Sequence, residues 1–229
     1  PFSWTVFDFL LAHELGHNLG VLHANSWECG AGVVLYGSCT HIEYGNSYDT
    51  MGTGIFALHF NALYKELLGW FDSSSFITIT GSGRYTLSPL ESNSGIRAAK
   101  IMPHTSDTPL YLEYRKPIGF DSYLANSEVV SNTNGLFVNW RFNFEGPGGG
   151  GFYPSMPRLL DMTPLSKDFS DWRKVTLNTG EGVFTDLDRG VTIGPIVNID
   201  SSGATFDVTF GTPQCVRTSP EPTFYFSKV

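Results

Sequence analysis

Hydrophobic and polar positions change period twice along this chain, and each change marks a new kind of element. Near the start, Phe7, Leu10 and Leu11 recur at i, i+3 and i+4 ahead of His13, the pattern of a helix with one apolar face. Asp8 suits the first turn of that helix, and the spacing predicts that Phe7, Leu10 and Leu11 are buried. Gly20 lets the helix stop and the chain turn sharply. Residues 24–50 show neither helical nor strand period and are rich in Gly, Ser and Asn, which predicts a long loop. Helical period returns over 55–68, with Phe56, Phe60, Leu63 and Leu67 on one side, His59 as a helix-face histidine and Gly69 as the stop.

From Phe76 the period drops to two. Short apolar runs at 76–80, 84–87, 98–102, 110–115, 135–144, 172–177, 190–199 and 204–210 are parted by Gly, Ser and Pro turns, as in an antiparallel β-sandwich. The glycine run at 146–151 predicts a mobile loop, and the Pro-rich stretch from Thr212 an extended tail. The expected fold class is therefore α+β. A helical and loop segment occupies 1–72, an antiparallel sandwich 73–211 and a tail 212–229.

Composition narrows the classes of function. The 229 residues are 41 % hydrophobic, enough for one large domain or two small ones, and carry a net charge of −8 with no basic run. Nucleic acid is not an expected partner, since neutralising phosphates needs clustered Lys and Arg. No apolar segment approaches the roughly 18–20 residues needed to span a bilayer. The cysteine count is odd: Cys29 and Cys39 bracket a Gly-rich loop that their pairing would close, which leaves Cys215 over. In a secreted protein such a leftover points to a polypeptide outside the chain; the alternative is three free thiols in a cytosolic protein.

The chemistry is concentrated in residues 13–23, His-Glu-Leu-Gly-His-Asn-Leu-Gly-Val-Leu-His. His13 and His17 are four apart, so both stand on one helix face and reach one metal ion together. The turn at Gly20 brings His23 back toward the same ion. Three imidazoles leave a fourth position open for water, as in catalytic rather than structural zinc sites. Glu14, beside the first ligand but not itself one, is placed to work as the base on that water. Downstream, Met51 within Asp49-Thr50-Met51-Gly52 reads as a thioether floor beneath the histidines. Tyr44 and Tyr48 are candidates to hydrogen-bond an oxyanion, although an Asx-turn or a packing role explains either as well. The oxygen-rich run 43–49 permits a Ca2+ site, with a plain polar turn network the favoured reading. His41 reads as a surface or hydrogen-bonding histidine.

With these residues in view, the chain resembles the gametolysin-type metzincin zinc peptidases. The resemblance rests on 13–23, on Glu43-Tyr44-Gly45-Asn46 leading to Asp49-Thr50-Met51-Gly52, and on 60–70, Phe-Asn-Ala-Leu-Tyr-Lys-Glu-Leu-Leu-Gly-Trp. It continues more weakly in Leu110-Tyr111-Leu112-Glu113-Tyr114-Arg115 before Gly119-Phe120-Asp121, and in Leu159-Leu160-Asp161. It implies that 1–72 is the C-terminal part of a metzincin catalytic domain and that 73–211 is the β-rich domain that follows. It further implies secretion, synthesis as a zymogen, and cleavage of extracellular-matrix or cell-wall proteins. His13, His17 and His23 would be the Zn2+ ligands, Glu14 the base and Met51 the Met-turn. Only twelve residues precede His13, so the rest of the catalytic domain is expected elsewhere: upstream in a longer form of this chain, or in a separate N-terminal polypeptide of the same precursor, for which the leftover Cys215 offers a link. Two further readings stay open: a non-catalytic structural or adhesive extracellular protein on the same scaffold, and glycan binding over 76–211 through Trp140, Tyr153 and Trp172.

Overall fold

A strand whose side chains are buried on both faces needs cover on both, and one strand of this chain sets the architecture by that rule. The computed structural model describes residues 6–29, 39–53, 57–103, 107–125, 134–145, 152–163 and 175–214, with backbone alone for 143–145 and 152–155. The helices are α1 (Val6–Asn18) and α2 (Ala62–Leu67), with a 3-10 turn at Gly119–Ala125. The strands are β1 (Asn25–Glu28), β2 (Thr40–Ile42), β3 (Phe76–Ile79), β4 (Gly83–Leu87), β5 (Ala98–Ile101) and β6 (Leu110–Tyr114). They continue as β7 (Leu136–Glu145), β8 (Phe152–Leu160), β9 (Phe184–Asp186), β10 (Val191–Ile199) and β11 (Ala204–Phe210).

Every residue of β6 is buried. Leu110, Leu112 and Tyr114 point into a core shared by two sheets, while Tyr111 packs on the opposite face with Ala62, Leu63 and Tyr64 of α2. The larger sheet has seven strands in the order β2-β1-β8-β7-β6-β5-β3, and the smaller has four, β4-β11-β10-β9. One face of the larger sheet thus meets the smaller sheet, and the other carries the helices and the loops of the first segment. The protein is mixed α+β and mostly sheet.

Several expectations are corrected. The larger sheet is not purely antiparallel, because β1–β8 and β3–β5 are parallel pairs. The chain leaves β3, pairs β4 with β11 in the other sheet and then returns, so β5 runs in the direction of β3. The loop expected over 24–50 contains β1 and β2. Four buried residues, Asn25, Ser26, Trp27 and Glu28, form β1 through pairing with β2 and β8 rather than through any alternation of their own. The larger sheet also runs across residue 72, since β1 and β2 precede it and β3 and β5 to β8 follow.

The helix expected over 55–68 begins only at Ala62, and residues 57–60 are irregular. Asn61 is its N-cap, with extended backbone and a side chain that accepts from the Tyr64 N–H, so helical geometry cannot continue upstream. His59 therefore lies ahead of the helix, not on its face. On α1 the inward face is Phe9, His13 and Gly16, whereas Phe7, Leu10 and Leu11 are 70 %, 49 % and 51 % exposed. A helix that turns Phe9, His13 and Gly16 inward turns Phe7 and Leu11 out and leaves Leu10 at the edge of the buried face. β8 escapes sequence reading because Pro154 and Pro157 interrupt it. Of the expected 172–177 strand, Leu177 forms a single bridge to Leu136. Residues 164–174, the glycine run at 146–151 and Cys215 lie outside the described residues.

Candidate metal centre

The site is assembled by a helix, its cap and two loops. α1 supplies His13 on its buried face and half-buried His17 one turn later, with Glu14 exposed between them. The helix lies directly on Met51: a Cβ at Gly16 would collide with the Met51 sulfur and stand 3.2 Å from the Phe60 ring. Only glycine permits that approach. At the C-terminus Gly20 has φ +90°, and the bonds Gly20 N–H to His17 O (2.9 Å) and Val21 N–H to Gly16 O (3.2 Å) form a Schellman cap. The chain reverses there and delivers His23.

Each imidazole is oriented by an oxygen behind it. Nδ1 of His13 donates to the Thr50 carbonyl (2.8 Å), Nδ1 of His17 to the Val21 carbonyl (3.0 Å) and Nδ1 of His23 to the Glu43 carboxylate (2.7 Å). Carbonyl and carboxylate oxygens only accept, so every Nδ1 carries its hydrogen, and it is Nε2 that a neutral imidazole in this orientation offers to a metal. The ligand atoms of the three residues lie within 4.8 Å of one another. Burial pulls the His23 imidazolium below its ordinary value, helped by His17 and His13 and opposed by Glu43. That shift favours the neutral, metal-binding form. Three imidazoles are close enough to hold one metal ion, and that donor set suits zinc, copper, nickel or iron.

Further groups fix the third ligand. The His23 carbonyl accepts from Asn25 Nδ2 (2.9 Å) and from the buried Tyr64 hydroxyl (2.9 Å), which also reaches the Leu22 carbonyl (2.6 Å). Met51 is fully buried against Gly16 of α1. Its turn is held by Asp49, whose carboxylate accepts from Met51 N–H (2.7 Å), Asn61 N–H (2.6 Å) and Asn61 Nδ2 (2.7 Å). Burial nonetheless pushes the Asp49 carboxyl up to about 6. The Met51 carbonyl accepts from Ala24 N–H (2.8 Å), which ties the turn to the segment bearing His23.

The two candidate tyrosines part company. Tyr44 stacks on His23 with ring centroids 3.6 Å apart. Tyr48 is buried against Phe137, ring centroids 4.9 Å apart, in a cluster with Leu58, Leu124 and Leu159, away from the histidines. The oxygens of 43–49 have other duties: Glu43 holds His23, Asn46 Oδ1 accepts from Tyr48 N–H (3.1 Å) and Asp49 holds the turn. Among the described residues, the three histidines are the one group of its kind that comes together. Cys29 and Cys39 form a disulfide beyond the last rung of the β1–β2 ladder. The hairpin it closes leads from His23 at one end to Glu43 at the other.

The remaining histidines stand elsewhere. His41 meets Arg158 Nε (3.2 Å), and burial first, then Arg158, bring its imidazolium down to about 4. His59 Nδ1 accepts from the Lys65 ammonium (3.1 Å), and burial likewise lowers it to about 4. Sequence reading did not find Thr50, Val21, Asn25 and Tyr64, which act through backbone carbonyls or on them and leave no motif. Glu43 alone carried a signal, as a carboxylate shortly after the third histidine.

Compared with family models, with curated proteins and with solved structures, the chain matches none.

Proposed function

We propose that this chain is a zinc-dependent endopeptidase. The observation that carries the reading is the convergence of three imidazoles whose Nδ1 atoms are all engaged, with Glu14 exposed beside them and hydrogen-bonded to nothing among the described residues. The donor set fits zinc: three neutral nitrogens leave one tetrahedral position free. Zinc bound there supplies an acidified water and polarises the carbonyl of the bond to be cut.

This chain's own residues do the rest. His13, His17 and His23 hold the ion, and the Glu43 carboxylate on His23 strengthens that ligand as a donor. Glu14 takes a proton from the attacking water as its oxygen bonds to the carbonyl carbon. It then returns that proton to the amine nitrogen as the carbon–nitrogen bond breaks. Met51 gives α1 a packed, apolar floor, so the ligands keep their spacing through turnover. The resemblance to gametolysin-type metzincins supports secreted action on matrix or cell-wall proteins. The Cys29–Cys39 disulfide is compatible with an extracellular protein, and no described helix is long and apolar enough to cross a membrane.

The test is Glu14→Gln on the full chain loaded with zinc. Casein cleavage is expected to vanish with zinc still bound; unchanged cleavage would end the reading. A second reading, a non-catalytic adhesive protein, draws on the outward apolar residues of α1, with Phe7 70 % and Leu11 51 % exposed. It requires zinc binding with no cleavage in any form. For glycan binding the support is weaker, since Trp140 is buried against Trp27 and not presented to solvent.

A further inference from the structure

Tyr44 is the one non-glycine residue with a left-handed backbone among those described, at φ +61°. That region is strained for an aromatic side chain and persists only where neighbours enforce it. Here they do. The Tyr44 N–H donates to Asn25 Oδ1 (3.1 Å), and its carbonyl accepts from Thr53 N–H (2.6 Å). The same Asn25 side chain holds the His23 carbonyl, so one residue fixes both the third ligand and the tyrosine above it.

What the strained backbone achieves is the position of the ring. Its face lies on the His23 imidazole at 3.6 Å, with 31° between the planes, and 6.0 Å from His13 at 21°. It is 38 % exposed, and its hydroxyl has no hydrogen-bond partner among the described residues. The carboxylates of Glu43 and Glu14 are both near enough for their charge to act on the phenol. A phenol at neutral pH is a protonated donor. A donor with no partner, on a ring stacked over one of the three imidazoles and near enough to feel the charge of the proposed base, lacks only an acceptor that arrives with substrate.

Resting on the peptidase reading, we infer that Tyr44 is a second catalytic residue, whose hydroxyl donates a hydrogen bond to the scissile carbonyl oxygen as that oxygen gains charge. Water oxygen bonds to the carbonyl carbon, and the carbonyl electron pair moves onto its oxygen, where the Tyr44 O–H meets it without losing its proton. Glu14 carries the water's proton to the leaving nitrogen. The pair returns to re-form the carbonyl as the carbon–nitrogen bond breaks. Because the hydrogen bond strengthens only with the charge, it acts on kcat and not on ground-state binding.

Tyr44→Phe removes the hydroxyl and keeps the stacked ring. On a fluorogenic peptide, kcat is expected to fall about 100- to 1000-fold with KM within about threefold of wild type. Zinc affinity, measured by competition with a chelator, is expected to stay unchanged. Affinity for a phosphinic peptide, whose tetrahedral anion mimics the charged oxygen, is expected to fall at least about tenfold. Wild-type turnover and wild-type phosphinic binding in the Phe variant would overturn the inference and leave the peptidase reading standing. Loss of zinc in the Phe variant would also overturn it, making Tyr44 a support for His23. A wild-type protein that holds zinc yet neither cleaves nor binds the phosphinic peptide would overturn the peptidase reading, and the inference with it.

Discussion

The core between the two sheets and the layer that carries the histidines are held by different forces. In the core, Leu112, Leu136, Val138, Val191 and Ile193 are completely buried, and burying each such side chain contributes about 1.5–3 kcal/mol without fixing any atom closely. In the site layer, the histidines are set by single hydrogen bonds to Thr50, Val21 and Glu43, and by Asn25, Tyr64 and Asp49 acting on the backbone around them. Each such bond adds only about 1 kcal/mol net, but it fixes direction. The sheets supply the stability of the fold, and the polar contacts supply the geometry of the site. Substitutions in the two regions should therefore register on different measurements.

The largest expected effect belongs to chemistry alone. Glu14→Gln should lower peptide cleavage by about 100- to 10,000-fold, the usual range for a general base, with melting temperature and zinc content unchanged. A fall in zinc content would show Glu14 to be part of the metal-holding set and blur the division.

Next comes the core. Leu112→Ala in the central strand β6 should cost about 2–5 kcal/mol in chemical denaturation, while the folded fraction binds zinc with wild-type affinity. Weakened zinc binding at full folding would mean that the core also sets the site.

Glu43→Gln reverses that pattern. Zinc affinity should drop about 10- to 100-fold, with the stability of the metal-free protein unaltered. A lowered melting temperature without zinc would show Glu43 to be a structural prop.

The last effect is a pH dependence at the join between the layers. Asp121 is buried, accepts from His59 N–H (2.8 Å) and lies 3.4 Å from the Arg115 guanidinium. Burial, reinforced by Asp121, pushes the Glu91 carboxyl up to about 9 from an ordinary 4.5. Between those values the folded chain keeps a proton that the unfolded chain releases, so stability falls as pH rises through that window. The slope is at most about 1.4 kcal/mol per pH unit. Glu91→Gln should remove this slope, so the variant gains on wild type from pH 5 to 9; parallel stability curves would refute it.

What was legible in the sequence is what local spacing determines. His13 and His17 stand on one face because a helix repeats, and Gly20 caps because a left-handed turn favours glycine. Most strands after Phe76 follow from alternation. Less legible was everything set by distant partners. β1 is a strand because β2 and β8 pair with it, and α2 starts late because Asp49 and Asn61 fix its cap. The inward face of α1 was misread because leucine and phenylalanine count as apolar wherever they point, while the fold turns His13 and Gly16 inward. Tyr44 and Tyr48 look alike in a polar run; a single left-handed backbone brings one to the histidines, and burial takes the other to the core.

Zinc stoichiometry by equilibrium dialysis and elemental analysis, on wild type beside His23→Ala, tests the central claim most directly. Wild type is expected to take up one zinc per chain, and His23→Ala to weaken binding at least about 100-fold at unchanged folding, since a ligand is lost outright. Zinc uptake that His23→Ala leaves untouched, or no uptake at all, would contradict a three-histidine metal centre.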